Sequence, residues 1–377
     1  MSKCSIGGQA VMEGVMMQSE YGTAIVVRRP DGSLCKEYRR KKKRYKKGSF
    51  PTWPFVRGVY ALVQSLTNGM DITTRSAELL GEEFEEEPSK FEKWLSKKTD
   101  KSLMEIVKVV AIVLALLLAV ALFVLLPIGI VTGIEALGAL FGIPWIAEMN
   151  LSVSTILQGL IRLGIFLLYL YLISKMKDIK RVYMYHGAEH KTIACYEADM
   201  ELTPENAAKC TRFHARCGTN YLFLTMAVSI LVTTIFTALM ELVPGFTEWQ
   251  SVGINKFLFR ILRILLIPLI AGVSYEVLKL AAKKDNWISR VVRAPGLALQ
   301  SFTTLEPTLD MLEVAIASFE LAMNPPKHDI IVDVNKEREQ ARAKQEQAAQ
   351  AKAASVEQEG AAADEPTEET REEHSES

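Results

Sequence analysis

The chain has 377 residues, of which 49% are hydrophobic, and its 44 Lys and Arg are balanced by 44 Asp and Glu. The neutral total conceals strong segregation, because apolar runs and charged runs occupy different stretches of the sequence. This pattern excludes a water-soluble globular protein. Residues 1–9 lack the basic, apolar and small-residue regions of a secretory signal, so we expect no cleavage there.

Four apolar runs have the length of transmembrane helices, which need about 20 residues and at least about 17 to cross the hydrocarbon. They are Ile106–Ile134, Val153–Ser174, Tyr221–Val243 and Phe257–Val273. The fourth contains Arg260, Arg263 and Pro268, which a helical bundle tolerates if the charges face its interior or reach its surface. We therefore predict a mainly α-helical integral membrane protein with about four transmembrane helices and a small cytoplasmic α+β portion.

The distribution of Lys and Arg predicts which side of the membrane each loop faces. Basic clusters occupy residues 39–47 before the first run, residues 175–181 after the second and residues 279–284 after the fourth. The other two loops are poor in Lys and Arg. We therefore expect a multi-pass protein of the bacterial inner membrane, with its N-terminus and C-terminus in the cytoplasm.

The basic run Lys41–Lys47 lies between the N-terminus and the first apolar run. Such a juxtamembrane cluster fixes orientation and attracts anionic lipids, so the bilayer is the partner that we predict for it. The run lacks base-stacking architecture, and we expect no nucleic acid partner.

Three segments before the first span predict local structure. Thr23–Tyr38 predicts a β-hairpin around the turn Pro30-Asp31-Gly32. Phe55–Leu80 has apolar residues at helical spacing and is too polar to span, which predicts an amphipathic helix on the membrane surface or the bundle. The glycine-rich stretch Gly7–Met17 predicts a tight packed turn; the alternative is a backbone that approaches a ligand, with Glu13 as a further metal or substrate group.

The chain after the fourth span predicts one more helix and then a tail. Thr304–Met323 is amphipathic and ends at Asn324-Pro325-Pro326. The six predicted parts are an N-terminal hairpin and amphipathic helix (1–100), a first transmembrane hairpin (101–175), a cytoplasmic loop (176–219), a second transmembrane hairpin (220–275), a cytoplasmic C-terminal helical segment (276–335) and a disordered acidic tail (336–377).

The segment His186-Gly187-Ala188-Glu189-His190 carries the chemistry that we expect. On a helix, His186 and His190 lie one turn apart on the same face, with Glu189 beside them. Two imidazoles at this spacing are a good pair of ligands for a divalent metal, and the order HxxEH is that of the inverzincin proteases. Glu189 is the predicted catalytic base, and zinc is the ion that we expect.

A metal site built on these two histidines needs a third ligand, and the sequence does not decide which residue provides it. Three of the five His and three of the five Cys of the chain fall in residues 186–217. Glu197, His214 and Cys217 are all candidates, whereas Cys195 and Cys210 are expected to fill buried space. The alternative for the whole set is a hydrogen-bonded polar cluster that holds no metal.

Several motifs, spread over residues 5–320, resemble the YqhQ-like family of bacterial membrane proteins. They are Gly7–Met17, Pro30–Gly32, Met176–Ile179, His186–Lys191, His214–Thr219, Pro295–Leu297 and Thr303–Pro307. The resemblance implies a multi-pass membrane protein of unknown function that is commonly labelled a predicted metal-dependent enzyme.

Together these features predict a divalent-metal-dependent hydrolase with its site on the cytoplasmic face. The competing hypothesis is a non-enzymatic membrane scaffold or assembly factor, in which the same polar residues form a hydrogen-bonded plug. A transporter is a third hypothesis, for which Arg162, Arg260 and Arg263 are the candidate intramembrane charges.

Overall fold

The computed structural model describes residues 6–41, 48–81, 101–214, 217–251, 253–283 and 286–333. Within these ranges the protein is mostly helical, with one small antiparallel sheet. The predicted tail, and residues 42–47 of the predicted lipid-contacting run, lie outside the described residues.

The strands are β1 (Gly7–Val11), β2 (Gly14–Gln18), β3 (Gly22–Arg28), β4 (Leu34–Arg40) and β5 (Ile330–Asp333). The helices are α1 (Val56–Leu80), α2 (Lys101–Val120), α3 (Leu126–Leu140), α4 (Pro144–Ala147), α5 (Leu151–Ile173), α6 (Lys177–Glu197), α7 (Pro204–Lys209), α8 (Gly218–Glu241), α9 (Phe246–Ser251), α10 (Gly253–Ile264), α11 (Ile267–Lys283), α12 (Trp287–Thr303) and α13 (Leu309–Met323). A π-helical turn, Ala121–Leu125, joins α2 to α3.

The five strands are ordered β1-β2-β3-β4-β5, each antiparallel to its neighbours. The predicted hairpin is confirmed as β3 and β4. The predicted tight turn over Gly7–Met17 is wrong, because these residues form β1 and β2 around a short turn in which Glu13 has a φ of 50°. The last strand comes from the other end of the described chain, with Cys35 opposite Asp333.

Both faces of this sheet are covered, because successive side chains of a strand point to opposite sides. In β3, Ala24 and Val26 pack with residues of α6 and α13 such as Tyr185 and Phe319. Ile25 and Val27 point to the other face and pack with residues of α1. The sheet is thus the middle layer between α1 on one side and the pair α6 and α13 on the other.

Four helical stretches among the described residues are long and apolar enough to cross a membrane, which matches the predicted number. They are Ile112–Leu140, Leu151–Ile173, Gly218–Glu241 and Gly253–Ala281. The first ends at Leu140 rather than Ile134, and the fourth runs from Gly253 to Ala281 rather than from Phe257 to Val273, because helix continues through residues that the hydropathy pattern had assigned to loops. Most of their apolar side chains are exposed in the isolated chain, as expected of surfaces that lipid covers.

Two prolines disturb these spans. Pro127 follows the π-helical turn, and Pro268 follows the break between α10 and α11. A proline has no N–H to donate to the carbonyl four residues earlier, so each locally interrupts the helical hydrogen bonding. The fourth span is therefore two helices in succession.

Candidate metal centre

Helix α6 carries both histidines and the carboxylate of the HxxEH motif. It packs against α13 and against β1 and β2, which buries the face that contains Glu189 and His190. The exposed fractions of these two residues are only 4% and 1%. Polar groups so deeply buried need partners inside the protein.

Each histidine ring is fixed by a backbone carbonyl from another part of the chain. His186 Nδ1 lies 2.9 Å from the Thr303 carbonyl oxygen, and His190 Nδ1 lies 2.6 Å from that of Arg212. A carbonyl oxygen only accepts, so Nδ1 is the protonated nitrogen of each ring and donates to it. Each neutral ring therefore presents a lone pair on Nε2, which is the arrangement common to metal-binding histidines.

The third member of the group is Cys217. Its Sγ lies 3.3 Å from His186 Nε2, and one ligand atom from each of His186, His190 and Cys217 falls within 4.8 Å of the others. Cys217 is the residue before the first turn of α8, so its sulfur stands at the positive end of the helix dipole. One nitrogen pair and one sulfur are a suitable donor set for zinc.

Glu197 and His214 lie beside this group and pair with each other. The His214 Nε2 and Glu197 Oε2 atoms are 3.9 Å apart, and the His214 ring centroid lies 5.6 Å from that of His190. The Gln300 side chain also holds the His214 backbone, accepting from its N–H and donating to its carbonyl at 2.9 Å each. The sequence left three candidates for the third ligand, Glu197, His214 and Cys217. Of these, Cys217 is the residue that the structure places together with the two histidines.

The Glu189 carboxylate is enclosed next to the histidines. One of its oxygens accepts from the backbone N–H of Gly8, and its Oε2 is buried without a hydrogen-bond partner in the described part of the chain. Burial raises the pKa of Glu189 to about 7, against the opposing effects of His186 and the Gly8 N–H. A carboxyl group with this pKa can both accept and release a proton near neutral pH.

Glu13, the further ligand considered for the glycine-rich stretch, is engaged elsewhere. Its carboxylate forms an ion pair with Arg181 and accepts from the Tyr185 hydroxyl at 3.2 Å. It therefore ties the β1–β2 turn to α6.

Two glycines shape the centre, and their roles were not foreseen from the sequence. A Cβ on Gly8 would lie 2.7 Å from the Glu189 carboxyl carbon. A Cβ on Gly187 would overlap the Leu305 carbonyl oxygen. The backbone carbonyls of Thr303 and Arg212 were also missed, since side-chain identity gives no signal for a main-chain acceptor.

We expect Gly187→Ala to be strongly destabilising, because the methyl group would force α6 away from the segment that holds Leu305. Overpacking of this kind costs about 1–3 kcal/mol or more, and here the obstacle is backbone. Thermal unfolding of the purified protein in detergent should show a lower midpoint. Gly164→Ala on α5 is the matched control, since no atom lies within 4 Å of the added carbon; equal midpoints for the two variants would contradict the close packing.

An apolar cavity of about 480 Å³ lies close to the centre. It is lined by residues of α5, α8 and α12, among them Phe223, Leu299 and Phe302. Phe302 adjoins Thr303, whose carbonyl holds His186.

Residues 53–325 match the family described as "Protein of unknown function (DUF1385)", and this range contains both histidines, Glu189 and Cys217. The chain belongs to the DUF1385 family. It is also 33% identical over 320 residues to "Uncharacterized protein YqhQ" of Bacillus subtilis (strain 168), which covers 83% of this chain and 90% of that protein.

The predicted resemblance to the YqhQ-like family is therefore confirmed. No solved structure matches the chain. Family membership assigns no activity, so function rests on the geometry of this DUF1385 protein itself.

Proposed function

We propose that this protein is a multi-pass membrane hydrolase that depends on a divalent metal, with zinc the ion that its donor set suits best. The observation that carries the proposal is the convergence of His186, His190 and Cys217 within 4.8 Å beside the enclosed carboxylate of Glu189. Catalytic zinc sites typically combine three protein ligands with one open position, which is the number of ligands available here.

His186 and His190 would hold the ion through Nε2, and Cys217 through Sγ. Zinc in such a site lowers the pKa of a water molecule that it binds and polarises a substrate carbonyl. Glu189 would accept a proton from the attacking water and return it to the leaving group, which its pKa of about 7 allows at neutral pH.

Two features of these residues support the binding of a metal. The Nδ1 atoms of both histidines are engaged by carbonyls, which leaves Nε2 as the donor atom of each ring. The buried Oε2 of Glu189 has no described partner, although such atoms are normally hydrogen-bonded. A bound water or substrate would supply the missing bond.

Metal content and hydrolysis together test the proposal. The full chain, purified gently in detergent, should contain about one zinc per protein by elemental analysis, or take one up when zinc is supplied. The loaded protein should then be assayed against a chromogenic ester, a phosphodiester and fluorogenic casein. Folded protein that contains no zinc, manganese or iron and takes up none would overturn the proposal.

A second candidate is a non-enzymatic scaffold or assembly factor. It is favoured by one observation, that the same histidines tie α6 to the distant carbonyls of Arg212 and Thr303. In that case His186→Ala and His190→Ala would lower thermal stability or partner capture, and the wild type would contain no stoichiometric metal.

We also propose that the centre faces the cytoplasm of a bacterial cell and that the basic run Lys41–Lys47 contacts anionic lipids there. The support is the asymmetry of Lys and Arg between the loops. In intact cells, an impermeant thiol reagent should label a cysteine placed at Glu148 and should not label one placed at Lys180. Labelling of Lys180→Cys but not Glu148→Cys would reverse the orientation. The parent chain with its native cysteines is the background control.

A further inference from the structure

The first strand, β1, forms one edge of the sheet. Among the described residues it pairs with β2 on one side and with no strand on the other. Gly7 is exposed, and the next three residues, Gly8, Gln9 and Ala10, are partly exposed. An accessible edge of this kind is a template to which a further extended chain can add.

The hydrogen bonds of the β1–β2 hairpin determine which backbone groups point outward. Val11 and Gly14 flank a two-residue turn, so they form a hydrogen-bonded pair, and such pairs alternate with non-bonded pairs along antiparallel strands. Every second residue counted back from Val11 therefore bonds to β2. The two residues between them, Gly8 and Ala10, direct their N–H and C=O groups away from the sheet.

The contacts of these two residues agree with this pattern. The outward N–H of Gly8 donates to the carboxylate of Glu189 on α6. The outward N–H and C=O of Ala10 have no hydrogen-bond partner in the part of the chain that the structure describes. Ala10 thus presents a donor and an acceptor side by side, which is the pair that a neighbouring strand satisfies.

This edge leads directly to the proposed catalytic carboxylate. Gly8 and Ala10 are two residues apart, which in a strand is about 7 Å. A chain that bonds to Ala10 and continues along β1 therefore reaches Glu189 after about two of its own residues. The buried Oε2 of Glu189, which has no partner among the described residues, is a second unsatisfied acceptor at this end of the edge.

We propose that the substrate is a polypeptide segment that adds to the edge of β1 as an extended strand. This inference rests on the hydrolase function proposed above and specifies its substrate class. Ala10 would donate its N–H to one residue of the segment and accept from that residue through its C=O. Backbone pairing does not depend on side-chain identity, so unfolded polypeptide is the class that the edge selects.

The reaction at the carboxylate is then the hydrolysis of an amide bond. The oxygen of a water molecule forms a bond to the peptide carbonyl carbon, and the bond between that carbon and the peptide nitrogen breaks. Glu189 accepts one proton from the water and delivers a proton to the leaving nitrogen. The products are a new carboxyl terminus and a new amino terminus, and nothing is oxidised or reduced.

Binding is measured separately from cleavage. A fluorescein-labelled, unstructured casein fragment is titrated with the full chain in detergent after a chelator has removed any metal, and fluorescence anisotropy gives the dissociation constant. Ala10→Pro removes the outward N–H but no bond to β2, and proline is tolerated at such edge positions. The dissociation constant should rise about 5–10-fold, as expected for the loss of one backbone hydrogen bond.

Gly7→Ala on the same strand is the matched control. The N–H of Gly7 bonds to β2, and no atom lies within 4 Å of the added carbon, so the variant should bind the fragment like the wild type. If Ala10→Pro does not fold, the fragment with its internal amides N-methylated replaces it. This fragment cannot donate to the Ala10 carbonyl and should also bind at least about 5-fold more weakly.

Cleavage is followed with the zinc-loaded chain on the same fragment and on a chromogenic ester. Hydrolysis of the ester by a chain that neither binds nor cleaves the fragment would overturn the peptide inference and leave the hydrolase function in place. Binding that Ala10→Pro weakens, without hydrolysis of either probe, would keep the edge as a peptide site and remove the hydrolase function. Binding that both Ala10→Pro and N-methylation leave unchanged would overturn the site. A dimer that Ala10→Pro abolishes and the fragment does not displace would assign the edge to a second copy of the chain, and would also overturn it.

Discussion

Replacement of His190 by alanine is expected to abolish stoichiometric zinc retention. The residue is 1% exposed, and the lone pair of its ring is on Nε2 because Nδ1 donates to the Arg212 carbonyl. Loss of a residue that only hydrogen-bonds to a metal ligand typically lowers metal affinity about 10–100-fold. Loss of a ligand itself should therefore lower the affinity by more than about 100-fold. The measurement is zinc per protein by elemental analysis after dialysis, with the dissociation constant from competition with a chelating dye.

His214→Ala is the matched control for this loss. Its ring lies next to His190 but pairs with Glu197, so the variant should retain most of its zinc. Equal zinc content in His190→Ala and the wild type would show that the HxxEH histidines are not ligands. If only His214→Ala loses zinc, the ion is held by a different set of residues.

Glu189→Gln is expected to retain zinc and to lose most of any hydrolytic activity. An amide cannot accept a proton from water, and general base catalysis typically contributes about 10²–10⁴-fold to the rate. The substitution also preserves size in a site where Gly8 packs directly against the carboxylate. Initial rates of the zinc-loaded protein on whichever probe the wild type hydrolyses provide the test.

Glu197→Gln is the control for the proposed base, since Glu197 lies on the same helix but pairs with His214. Its rate should stay within a few-fold of the wild type. An unchanged rate in Glu189→Gln would remove the proposed role of this carboxylate. Loss of zinc in that variant would instead make Glu189 a ligand.

Local sequence patterns were sufficient for part of this architecture. The hydropathy runs predicted four spans, and the Pro30-Asp31-Gly32 turn predicted the hairpin of β3 and β4. The spacing of His186 and His190 predicted a shared helix face, because the period of an α-helix is fixed by local backbone geometry. Each of these features is determined by residues that are close together in the sequence.

Other features depend on contacts between distant residues and could not be predicted in this way. Gly7–Val11 has weak strand propensity, yet it is a strand because pairing with β2 and packing on α6 stabilise it there. The choice of Cys217 among the candidate ligands depends on how α8 begins relative to α6. The raised pKa of Glu189 likewise arises from burial by segments more than a hundred residues away in sequence.

The pairing of β4 with β5 has a consequence for membrane insertion. One strand precedes the first candidate span and the other follows the last, so both must be on the same side of the bilayer to be hydrogen-bonded. The number of crossings between them is therefore even, whatever the orientation. If one span failed to insert, β5 would lie on the opposite side of the membrane and could not pair with β4. The unpaired edge of β4 could then pair with another chain and cause aggregation. Closure of the sheet is thus possible only for a chain in which an even number of spans has crossed the membrane.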